Sequence, residues 1–259
     1  MSERFKIVKT SKTIRMKRAA SNFLEMKTPF NKFIHSFSLL ILSAAVSTSG
    51  HSQTPEKKKT GPERFEKEIA GFEARDRKTP PPKHVPLFVG SSSIRLWDLE
   101  KAWPDSKMIN NGFGGSTLAD SIHFFDRAIA PYSPSSIAIY AGDNDIGKGL
   151  TAEQTYGDFV KLAGMIQKKH PEAVVIFIAI KPSIKRWELW PKMKDANDRI
   201  AKYCEENPDF FFADIAAPVL DNADKKPSPT LFRSDGLHLN EAGYAVWKAV
   251  IDPLLFPKP

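Results

Sequence analysis

Residues Ala173 to Ile180 (AVVIFIAI) form a run without one polar side chain, rich in β-branched residues. Such a strand has no polar face to give to water. It belongs inside a parallel sheet whose two faces are both covered by helices. Its length, bounded by polar residues and prolines, suits a strand rather than a helix. The pattern repeats along the chain. Val85, Leu87, Phe88 and Val89 make a short apolar run that stops at Gly90. Lys107 to Asn110, Ser136 to Tyr140 (SIAIY) and Phe210 to Asp214 read as three more strands.

Helical patterns alternate with them. Leu118, Ile122, Phe125 and Ile129 mark one helix, and TAEQ from Thr151 is a capping box opening another that runs to about Lys169. Pro191 suits the first position of a third, and Asn240 caps a last one containing Ala245, Val246 and Val250. The alternation predicts a flavodoxin-like three-layer α/β/α sandwich around a five-stranded parallel sheet.

That prediction is positional. In open α/β sheets the loops leaving the carboxyl ends of the strands gather at one edge, where ligands bind. Four loops are thereby brought together: GSSS at 90–93, GFGGS at 112–116, GDND at 142–145 and DGLH at 235–238. Acyl transfer needs a nucleophile, a base, a group that orients the base, and donors for a developing oxyanion. Ser92 supplies the first and His238 the second, since an imidazole titrates near neutral pH. Asp235, three residues earlier, can hold one ring nitrogen. The Ser92 and Gly115 backbone N–H groups and the Asn144 amide can donate to the oxyanion, and Gly115 has no Cβ to obstruct an approach.

Each loop also has a plain structural meaning. GSSS can be a serine-rich turn capping a helix, DGLH an Asx-turn, GFGGS ordinary turn chemistry, and Asn144 a loop cap. Asp143 and Asp145 do not match a calcium loop, and no His/Cys cluster suggests zinc. The four loops in this order carry the signal.

In that order the chain resembles the SGNH (GDSL-type) hydrolase family, whose blocks contribute a serine, a glycine, an asparagine and a histidine. The resemblance covers about residues 84–256. Family members usually have Gly-Asp-Ser where this chain has Gly90-Ser91-Ser92, which leaves three serines to choose from. Register from Gly90 selects Ser92, with Ser93 as the alternative. The resemblance implies Ser92 as nucleophile, His238 as base, Asp235 as its partner, and Ser92, Gly115 and Asn144 as the oxyanion hole. It implies an esterase working through an acyl-serine, without a cofactor or metal. The Gly-x-Ser-x-Gly elbow of α/β-hydrolases is absent, because Ile94 stands at the second glycine.

Charge places the protein rather than its chemistry. The net charge is +8. Residues 1–53 hold nine Lys/Arg and two acids, a balance of +7, whereas residues 84–259 hold twenty and twenty-two, a balance of −2. The basicity belongs to the leader, so a nucleic-acid partner has no support in the domain. Within the leader, residues 33–46 (FIHSFSLLILSAAV) fall short of the roughly 20 apolar residues of a spanning helix. Small and polar residues follow, as in a signal peptide, with Met26 as an alternative start and cleavage near Ser47 to Ser52. Export to the periplasm or medium is expected, with an uncleaved membrane anchor as the alternative. Residues 54–83 read as a charged spacer and an amphipathic helix carrying Phe65, Ile69 and Phe72, ahead of the 84–259 domain. The single cysteine, Cys204, excludes an intrachain disulfide and is expected on a buried helix face.

The expected substrate of such an exported enzyme is an acetylated glycan or another small ester. The loop Lys181 to Trp190 brings two tryptophans and three cations near the fourth strand, so Trp187 and Lys181 are expected to contact substrate. Two alternatives stand beside this: a lysophospholipase or thioesterase, and a glycan-binding module that kept the fold without turnover. Oligomeric state is not legible.

Overall fold

Leu87 pairs with Ile109 on one side and Ile137 on the other, and from that centre the whole sheet is parallel. The structure is a computed structural model describing residues 60–257. The leader expected at 1–53, and the part of the spacer before residue 60, lie outside the described residues.

A 3₁₀ turn at Pro62–Phe65 leads into α1 (Glu66–Lys78). Next come β1 (Leu87–Gly90), α2 (Ser92–Arg95), α3 (Leu99–Ala102) and β2 (Ile109–Gly112). The chain continues through α4 (Leu118–His123), α5 (Phe125–Ala128), β3 (Ser136–Tyr140) and α6 (Asp143–Gly147). Then follow α7 (Ala152–Lys169), β4 (Val174–Ile178), α8 (Trp190–Glu206), β5 (Phe210–Ala213), α9 (Ala216–Val219) and α10 (Glu241–Leu255). The strand order β2-β1-β3-β4-β5 is the flavodoxin-like order, flanked by helices.

Alternation along each strand builds two cores. Leu87, Val89, Ile137, Ile139, Val175 and Phe177 face the layer that contains Ile69, Phe159, Leu162 and Ile200. Phe88, Ala138, Tyr140, Ile176 and Ile178 face the other, closed by Trp97, Trp103, Tyr244 and Trp247. The aromatic side is tightly interlocked: Trp97 stacks on Tyr244 with ring centroids 5.2 Å apart. Ile69 of α1 is buried in the first core and Phe72 packs against it, while Phe65 enters the same core from the preceding 3₁₀ turn. Arg127 pairs with both Glu66 and Glu73 of α1.

Three local expectations shift. The second strand lies at Ile109–Gly112 rather than Lys107–Asn110, because its pairing with β1 runs from Leu87 opposite Ile109 to Gly90 opposite Gly112. The helix expected through Ile129 is broken at Phe124, whose ψ is 15°. Phe124 and Phe125 are both buried, and adjacent residues point about 100° apart on a continuous helix, so the break lets both rings enter the core. The GDND loop is itself one turn of helix, α6. Cys204 sits buried on α8, where burial pushes its thiol up to about 12.

Candidate active site

Gly90 ends β1 at a φ of 127°, and a Cβ there would meet the Tyr140 carbonyl oxygen at 1.9 Å. Only glycine fits. The turn it permits carries the chain straight into α2, with Ser91 buried at the N-cap, Ser92 half-buried at the first helical position and Ser93 buried behind it. The Ser91 and Ser93 hydroxyls have no hydrogen-bond partner. Ser92 does: its Oγ lies 3.0 Å from His238 Nε2.

The His238 ring is fixed from the other side. Asp235 Oδ2 lies 2.6 Å from Nδ1, while Asp235 Oδ1 accepts the backbone N–H groups of Leu237 and His238, each at 2.9 Å. The hydrogen bond to the imidazole and those two N–H donors hold the carboxyl far below the ordinary carboxylate range, so it stays ionised. An ionised carboxylate on Nδ1 favours the tautomer with its proton there, leaving Nε2 free to accept the Ser92 proton. The left-handed Gly236 (φ 64°) makes the tight turn that brings residues 235 and 238 together. The Asx-turn and the relay are therefore one structure.

The loop after β2 crosses beside this serine. Phe113 donates its N–H to the Gly90 carbonyl at 2.9 Å. Gly115 has a φ of 80°, with open space where a Cβ would stand. Among the described residues, neither the Ser92 nor the Gly115 N–H is given to a backbone acceptor. Asn144, on α6, donates from Nδ2 to the Ser116 carbonyl at 3.0 Å, which leaves its second N–H unused by that contact. Asp145 joins the two loops by accepting from Leu118 N at 2.9 Å and Gly142 N at 3.0 Å. The arrangement can activate a hydroxyl and donate to an oxyanion, the two requirements of acyl transfer.

Lys181 is not where the sequence led us to expect it. Its side chain is 1% exposed and its ammonium lies 3.0 Å from Asp143 Oδ2 and 2.9 Å from the Tyr140 hydroxyl. It is a buried counter-ion to Asp143, not a cation on the rim of the loop. Burial raises the Asp143 carboxyl, but the charges of Lys181 and Arg186 outweigh it and hold that group below its usual value. Trp187 is half-buried and stacks on Trp190 with centroids 6.4 Å apart; Trp190, unlike Trp187, also packs against the sheet core. Two residues bonded to this cluster escaped the sequence reading. Tyr140 looked like a strand residue only, and Arg186, which donates to Asn144 Oδ1 at 3.0 Å, was one of three cations in a loop. Nothing local distinguishes it from Lys185.

No curated protein matches the chain. Solved structures do. A Streptococcus pneumonia protein named for platelet activating factor superposes with a TM-score of 0.66 at 17% identity, over 75% of this chain and 94% of its own. A GDSL-like lipase from Bacteroides thetaiotaomicron gives 0.64 at 20% identity, over 72% and 96%. A mutant of an acetyl-xylooligosaccharide esterase from Geobacillus Stearmophilus gives 0.56 at 14% identity, over 69% and 96%. At these identities the likeness is one of fold. The family model for the GDSL-like Lipase/Acylhydrolase family matches residues 95–246, beginning just after the Ser92 turn. With that match over more than half of its length, the chain belongs to the GDSL-like lipase/acylhydrolase family and is an SGNH-type ester hydrolase.

Proposed function

We propose that the protein removes acetyl or other short acyl groups from a carbohydrate through an acyl-Ser92 intermediate. His238 takes the Ser92 proton as the hydroxyl attacks the ester carbonyl, and Asp235 steadies the imidazolium that forms. The N–H groups of Ser92 and Gly115 and the Asn144 amide receive the oxyanion. As the ester C–O bond breaks, His238 gives its proton to the departing sugar oxygen. It then takes a proton from the water that attacks the acyl carbonyl and returns it to Ser92 Oγ as acetate leaves.

The observation that carries the acyl size is the openness of the relay: the His238 and Asp235 side chains are 25% and 40% exposed. A site so wet suits a small acyl group on a solvated polymer, whereas a long acyl chain needs an enclosed apolar pocket. Trp187, half-exposed beside Arg186, offers an aromatic face for a sugar ring. The Geobacillus neighbour of this fold is named for acetylated xylo-oligosaccharides. Export, which the basic leader and its apolar run support, would put the enzyme where such glycans are. No helix among the described residues is long and apolar enough to cross a membrane.

The test compares p-nitrophenyl acetate and octanoate, followed by acetate release from acetylated xylo-oligosaccharides. Faster turnover of the acetate ester, and acetate released from the sugar, are expected. Preference for octanoate would move the assignment to a lipid acyl hydrolase. No turnover of any ester would leave a binding module.

A further inference from the structure

Asn144 can serve an oxyanion only if its amide faces the right way, and an amide is nearly symmetric in shape. Its orientation is set by partners. Asn144 Oδ1 accepts from Arg186 Nη2 at 3.0 Å, and Nδ2 donates to the Ser116 carbonyl at 3.0 Å. Turned over, the NH₂ would face a guanidinium that only donates, and the carbonyl would face another carbonyl. Both contacts would be lost at once, in a residue only 9% exposed.

Arg186 is itself held. Its Nη1 donates to the Asp143 carbonyl at 2.8 Å and lies 3.3 Å from the Asp143 carboxylate. The guanidinium lies against Gly147, where a Cβ would come within 3.1 Å of its Cζ. The same Asp143 oxygen, Oδ2, also accepts from the buried Lys181 at 3.0 Å. Just upstream, Lys185 donates its N–H to the Gly236 carbonyl at 3.0 Å, and the Ile184 side chain packs on Gly236. Gly236 stands inside the turn between Asp235 and His238. Residues 184–186 therefore touch both the loop that carries the base and the residue read as an oxyanion donor.

We infer that Arg186 is a positioning residue for this hydrolase: its guanidinium fixes the Asn144 amide with an N–H toward the oxyanion. The segment 184–186 keeps that donor in register with the His238 turn. This rests on the reading of Asn144 as an oxyanion donor. Donation into Oδ1 also polarises the amide and strengthens its N–H as a donor. A lysine cannot substitute, because one ammonium on a flexible stem does not reproduce a planar fork that holds two acceptors together.

A double-mutant cycle tests it, with kcat and KM measured on p-nitrophenyl acetate for the wild type, Arg186→Met, Arg186→Lys, Asn144→Ala and Arg186→Met/Asn144→Ala. Loss of an oxyanion donor costs about a hundredfold or more, the fall in kcat expected of Asn144→Ala. Arg186→Met should lower kcat roughly tenfold or more with little change in KM, and Arg186→Lys should recover little of it. In the Asn144→Ala background the same change should alter kcat by less than about twofold, because the amide it positions is gone. Equal losses in both backgrounds, or a loss in KM alone, would overturn the inference. An unchanged Asn144→Ala would instead remove Asn144 from the site, and the positioning role with it. If the methionine variant does not fold, Arg186→Gln takes its place, keeping one amide donor but losing the fork that also holds Asp143. It should show a smaller fall in kcat that again disappears in the Asn144→Ala background, and an equal fall in both backgrounds would overturn the inference.

Discussion

Ser92 Oγ and His238 Nε2 lie 3.0 Å apart although 146 residues separate them in the chain. The two serines beside Ser92 point elsewhere, buried and without partners. Loss of the nucleophile is therefore expected from Ser92→Ala alone. Ser91→Ala and Ser93→Ala each delete an unpaired buried hydroxyl, a change close to neutral for stability. Ester turnover and thermal midpoints of the three variants check this. An inactive Ser93→Ala beside an active Ser92→Ala would transfer the role to Ser93.

Asp235→Asn separates orientation from folding. The new Oδ1 can still accept the N–H groups of Leu237 and His238, as Asp235 does at 2.9 Å. Its NH₂ would then face Nδ1 and force the proton onto Nε2, which can no longer take one from Ser92. A fall in kcat of about a thousandfold or more is expected, as for the wrong tautomer in a serine triad, with the fold retained. A circular dichroism melt run beside the assay tells the two apart.

Lys181→Met removes a buried partner from Asp143 and from the Tyr140 hydroxyl. Breaking one side of a buried ion pair costs about 3–5 kcal/mol, and Arg186, still 3.3 Å from Asp143, should hold the loss to the lower end. Lys194→Ala breaks an exposed helical pair with Asp198 and should cost under about 0.5 kcal/mol. Urea unfolding of the two variants measures the contrast. Equal costs would mean that Lys181 is not the counter-ion described.

Asp145 makes stability depend on pH in a direction opposite to most carboxylates. Burial pushes it up to about 6 from an ordinary 3.8, against the lowering effect of the Leu118 and Gly142 N–H groups. Between those values the native state holds a proton that the unfolded chain has released. This group's contribution to stability is therefore largest below about pH 4 and falls as pH rises toward 6. Asp145→Asn removes that dependence and gives up one of the two accepted N–H bonds. Urea unfolding from pH 4 to 7 should show a variant less stable than wild type, with a slope between pH 4 and 6 more positive than that of wild type. Parallel slopes would mean that Asp145 ionises normally.

The sequence by itself determined the layers and the ends of the sheet. Runs such as AVVIFIAI have no face for water, and alternation with helical patterns leaves a parallel sheet as the way to bury them. It also brought the GSSS, GFGGS, GDND and DGLH loops to one edge, since strand direction alone decides that. The Asp235–His238 pair was legible because three residues around a left-handed glycine are a local matter. Only the tertiary structure decided what crosses between elements. Lys181 and Asp143 are 38 residues apart, and Arg186 and Asn144 are 42. A lysine after a strand carries no mark of whether it meets water or a buried carboxylate, because that depends on what the rest of the chain places beside it. The break at Phe124 and the two-residue shift of β2 have the same cause. Periodicity reports which residues prefer burial, while register and partner are set by the neighbour they are buried against.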